Sequence, residues 1–147
     1  MNMGIFGTPA STAADINLVA QLIIVAALAL GWVYGRDKKR IRLHGQLMVA
    51  AVLVNGAAIV LVMVPSLVLG FGAITSNPLG PGSLITVAHA IVGAVAWLYG
   101  VYLAWVWKLR PATAECFKRK NLMKPVLYTW LAAAVLGVGF YAYYYLL

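Results

Sequence analysis

The chain of 147 residues is 64% hydrophobic and 10% charged, with a mean hydropathy of +0.92 and a formal net charge of +8. Soluble domains are roughly half apolar, so this composition excludes an ordinary soluble fold and describes an integral membrane protein. A lone cysteine, Cys116, excludes an intrachain disulfide and any CxxC redox or zinc motif.

A basic protein of this size invites a nucleic-acid reading, but the placement of the charge argues against it. All eleven Lys and Arg fall in two clusters: Arg36, Lys38, Lys39, Arg40 and Arg42, then Lys108, Arg110, Lys118, Arg119, Lys120 and Lys124. The first lies between the first and second of four apolar stretches, the second between the third and fourth. The positive-inside rule then places the basic loops 36–42 and 108–124 in the cytoplasm and both termini outside. The charge therefore reports topology, with anionic lipid as a secondary contact, and no nucleic-acid partner is expected.

The opening MNMGIFGTPASTAAD lacks the basic start of a cleaved signal, so the first span is expected to stay. It is read as irregular chain at the outer surface, with Ser11, Thr12 and Asp15 as candidate helix caps. Span one covers Asp15 to Gly35. Asn17 and Gln21 stand four residues apart on one face, which should turn into the bundle because an amide in lipid needs a partner. Trp32 and Tyr34 mark the inner interface.

Span two covers Ile41 to Leu69. His44, Met48, Ala51, Asn55, Ala58 and Val62 fall on one stripe of it, continuing to Pro65 or Ser66, and this stripe of small and polar residues should pack against protein. Asn55, near mid-membrane, reads as an interhelical hydrogen-bonding group, and Met48 as a further contact on the same stripe. Pro65 is expected to end or kink the helix, and GFGAITSNPLGPG over 70–82 reads as an uncharged external loop.

Span three, Ser83 to Trp107, carries His89, and Gly93, Ala96, Gly100 and Ala104 form a small-residue side suited to close helix approach. Its inner end is aromatic, with Tyr99, Tyr102, Trp105 and Trp107. Span four, Asn121 to Leu147, ends in YAYYYLL, which reads as an interfacial anchor. Short connections between successive spans predict an all-α, antiparallel four-helix bundle of one domain.

The two histidines carry most of the available chemistry, because an intramembrane imidazole is a candidate ligand for haem or copper. His44 stands at the cytoplasmic start of span two, whereas His89 precedes the cytoplasmic end of span three by 18 residues, roughly 27 Å of helix. One haem within one chain cannot use both. What remains is separate single-histidine sites, for example haem at His44 or copper near His89 with Asn17, Gln21 and Ser66 as weak neighbours, a site made by paired chains in an oligomer, or two hydrogen-bonded histidines with no cofactor, one interfacial and one buried. A proton-coupled exporter would need a mid-membrane carboxylate, and Asp15 is at the edge. No HExxH or serine-protease pattern occurs, and no residue reads as a catalytic base or nucleophile.

KKRIRLHGQLMVAA, TVAHAIVGAVAWLYG and the last span with Trp130, Gly137 and Tyr141 resemble domain-of-unknown-function family 420. Its members are small four-helix membrane proteins, among them the CtaM-like factors linked to maturation of haem-copper cytochrome oxidase. The likeness spans residues 33 to 145. It matches His44 to the family histidine after the basic loop and His89 to the one near the start of the third span. Two further family histidines have no counterpart, since those neighbourhoods read MVPS (Met63 to Ser66) and FKRK (Phe117 to Lys120); metal or haem handling therefore carries over incompletely. The resemblance implies an accessory or assembly component of a respiratory complex in a prokaryotic plasma membrane, with a larger membrane complex or further copies as partner. The alternatives are a small haem- or copper-binding electron-transfer protein and a cofactor-free structural subunit.

Overall fold

A computed structural model describes residues 4–36, 40–107 and 120–147. The described chain is helical apart from its ends and one tight turn: α1 (Thr12–Gly35), α2 (Ile41–Ala58), a π-helical turn (Ile59–Met63), α3 (Val64–Ser76), α4 (Pro81–Trp107) and α5 (Lys120–Tyr145). Because α2, the π turn and α3 are continuous, these make four helices long and apolar enough to cross a membrane. The helix α1 packs on α2 and α5, α4 packs on α2 and α5, and α3 makes only slight contact with α4.

The buried core is small, comprising Ile24, Leu28, Ala51, Val52, Ala96 and Trp130, with Met48, Trp97, Val101, Val126 and Leu127 packed around it. Outside it, large apolar residues stand bare: Leu53 is 67% exposed, Leu61 73%, Trp105 73% and Val135 72%. Patches of this extent are costly in water and ordinary against acyl chains, in keeping with the length and hydropathy of the helices.

Two expectations about the second span need correcting. Pro65 does not end the helix, which continues past it to Ser76. Proline lacks an N–H and its ring crowds the carbonyl four residues back. The chain meets this by widening the preceding turn, with the Val64 N–H reaching Ile59 O, a π-helical adjustment that carries the helix past the proline. Nor is 70–82 a loop throughout, because the helix runs on to Ser76. Glycine costs a helix about 1 kcal/mol relative to alanine, less than leaving backbone groups unpaired in apolar surroundings. Hydroxyls close the end: Thr75 Oγ1 donates to the Phe71 and Gly72 carbonyls and Ser76 Oγ to Ala73. Only residues 77–80 turn, closed by Gly80 N–H to Asn77 O at 3.1 Å.

The start of α1 is capped by Ser11, whose Oγ accepts from the Ala14 N–H at 3.2 Å. Asp15 faces elsewhere, and what it does there belongs to the polar groups below.

Candidate functional site

Each of the two histidines and two of the tryptophans places a ring N–H against a backbone carbonyl of a neighbouring helix. His44 on α2 lies 2.6 Å from Gly31 O on α1, and His89 on α4 lies 3.0 Å from Ala133 O on α5, through Nδ1 in both cases. Trp97 Nε1 on α4 donates to Val52 O on α2 at 3.0 Å, and Trp130 Nε1 on α5 donates to Ala96 O on α4 at 2.6 Å. A carbonyl only accepts, so Nδ1 carries a proton in both rings, and in a neutral imidazole so bonded Nε2 is the acceptor.

The four contacts share a sequence rule: a glycine stands four residues after each accepting carbonyl, at Gly35, Gly137, Gly56 and Gly100. On a helix that glycine lies one turn along the same face, and its missing side chain is the notch the ring occupies. A Cβ at Gly35 would come within 3.1 Å of His44 Nδ1, at Gly56 within 3.1 Å of Trp97 Cζ2, at Gly100 within 3.1 Å of Trp130 Cζ2, and at Gly137 within 2.9 Å of His89 Cε1. The small-residue side of α4 therefore admits a tryptophan ring at Ala96 and Gly100, rather than the backbone of another helix. Gly93, on the same side, faces open space.

The contact of α1 with α5 uses different chemistry. Asp15 is fully buried; it accepts from Tyr141 Oη at 2.5 Å and from the Phe6 N–H at 3.1 Å. Thr8 Oγ1 stands 3.2 Å from the same tyrosine oxygen, so the segment before α1 is tied across the helix ends. Tyr141 was legible only as part of an interfacial tyrosine run. The signal that finds its role is Asp15 itself, an acid at the edge of an apolar span that requires a partner.

Further into the bundle, Gln21 Nε2 donates to Asn55 Oδ1 at 2.9 Å, joining α1 to α2. Asn17, one turn before Gln21, has its Oδ1 sealed from solvent without a donor. Ser66 is exposed on α3 and His89 faces α5. Of the group His89, Asn17, Gln21 and Ser66, Gln21 is bonded to Asn55 and His89 Nδ1 to α5.

With Asp15 opposite Tyr141, the carbonyl and glycine that hold His89 lie eight and four residues inward along α5. The residues that hold His44 lie sixteen and twenty inward along α1, an axial separation of about 18 Å. The histidines cannot share a metal, and among the described residues no three His, Cys, Asp or Glu come together. His44, Met48, Trp32, Trp107, Met123 and Trp130 border a cavity of about 120 Å³ whose walls are almost wholly apolar. Sites for drug-sized ligands run about 300–1,000 Å³, and this space is small beside them. Cys116 and the Phe117 to Lys120 neighbourhood, where the family histidine has no counterpart, lie outside the described residues, Lys120 excepted.

Comparisons with protein-family models, with curated proteins and with solved structures find no match to this chain.

Proposed function

We propose that the protein is an accessory or assembly component of a larger membrane complex, acting by lateral helix contact rather than by catalysis. The observation that supports this reading is the use of the ring N–H groups. The histidines make the same helix-to-helix hydrogen bond as Trp97 and Trp130, while broad apolar helix surface remains uncovered. In this reading the helices form an antiparallel bundle, with both termini outside and loops 36–42 and 108–124 in the cytoplasm of a prokaryotic plasma membrane.

The resemblance to the oxidase-maturation family makes a haem-copper oxidase the first complex to test. Deleting the gene should lower assembled oxidase, measured as haem and copper content and oxygen consumption of isolated membranes. Unchanged values for all three would refute the assignment to that complex.

A further inference from the structure

The cavity beside His44 has a chemical character that the accessory role does not use. All four spanning helices wall it: Leu28 and Trp32 from α1, His44 and Met48 from α2, Trp107 from α4, Trp130 from α5, with smaller apolar residues between them. An apolar cavity of about 150 Å³ takes up a benzene-sized molecule; this space, at about 120 Å³, has the size of a single ring if Met48 moves. Methionine is the side chain suited to that adjustment, and its thioether makes favourable contacts with ring edges.

One polar group sets the orientation of a guest. Nδ1 of His44 is held by Gly31 O, which leaves Nε2 as a bare acceptor. Among the described residues the sealed, unpartnered polar side-chain atom is Asn17 Oδ1. His44 is one of the residues that line this cavity, and the hydrogen bond it makes to the described residues is through Nδ1. The tryptophan side chains are donors only and methionine sulfur is a weak acceptor, so the imidazole is the strongest acceptor side chain on the wall.

We propose that this cavity binds a one-ring aromatic alcohol, the chemistry shared by a free phenol and the headgroup of a membrane quinol. The ring lies among the tryptophans and methionines, and its hydroxyl donates to His44 Nε2. No covalent or redox step is involved.

The test uses the full chain in detergent with 15N-labelled histidine, hydroquinone as probe and its dimethyl ether as the matched ligand without a donor. Hydroquinone should move the Nε2 resonance of His44 and leave that of His89 in place, and the ether should move neither. His44→Phe should weaken hydroquinone about tenfold, the worth of one hydrogen bond, without changing the ether. Ala104→Leu, which fills the cavity wall, should weaken both. Equal binding of hydroquinone and ether by the unaltered protein, or no binding of either, would overturn the proposal without relying on any variant to fold. A prenylated hydroquinone that binds at least tenfold tighter than hydroquinone assigns the natural source to a membrane quinol; equal binding assigns it to a free phenol.

Discussion

A glycine in this bundle is best understood by the ring that faces it. Gly137 and Gly93 are both helical, yet a methyl at the first would meet the His89 ring at 2.9 Å and at the second would meet nothing within 4 Å. Gly137→Ala should therefore destabilise the detergent-solubilised protein by about 1–3 kcal/mol through overpacking. Gly93→Ala should be neutral or gain up to about 1 kcal/mol from helix propensity. Unfolding both variants in a denaturing detergent checks the contrast, and a loss of the same size at both positions would show that the notches do not matter. At the start of α1, Tyr141→Phe removes the hydroxyl that Asp15 accepts from. The expected cost is about 1–3 kcal/mol, with faster proteolysis of the segment before Thr12; an unaltered cleavage rate would show that this segment is held by other contacts. The histidines, Gln21 and Asn55 were legible as polar groups requiring partners in an apolar chain. Their acceptors were not, because all four ring contacts end on carbonyls of apolar residues or glycine that carry no signal of their own. The glycine four residues after each carbonyl was visible, but it reads equally as a close helix crossing.

At the scale of the elements, hydropathy located all four spanning helices, since apolar runs of this length have few other uses. It misplaced one boundary by seven residues, ending span two at Leu69 where the helix continues to Ser76. The reason is that glycine, serine and threonine between apolar residues read as a loop in water, whereas the balance shifts to helix when backbone groups lack water to bond. Pro65 offers a direct check. Pro65→Ala restores an N–H and removes the ring that crowds Leu61 O, so the π turn loses its cause. The variant should be neutral or more stable, by up to about 3 kcal/mol, with slower amide exchange at residue 65 and its neighbours. A clear loss of stability would mean that the wide turn is held by something other than the proline.

At the scale of the whole molecule, the basic clusters were the strongest topological signal, because their one-sided distribution leaves a single orientation under the positive-inside rule. The lone thiol provides the test. A membrane-impermeant maleimide should label Cys116 in inverted vesicles and spare it in right-side-out ones, and the reverse pattern would invert the proposed topology. The account of function rests on the histidines acting as hydrogen-bonding rings between helices, in the manner of Trp97 and Trp130. The most direct measurement is a visible spectrum of the purified protein, air-oxidised and dithionite-reduced, with iron and copper determined on the same sample. The expected result is no Soret band and neither metal in proportion to protein. A Soret band at one haem per chain, lost in His44→Asn or His89→Asn while the helical content is retained, would contradict the account and make this a haem protein.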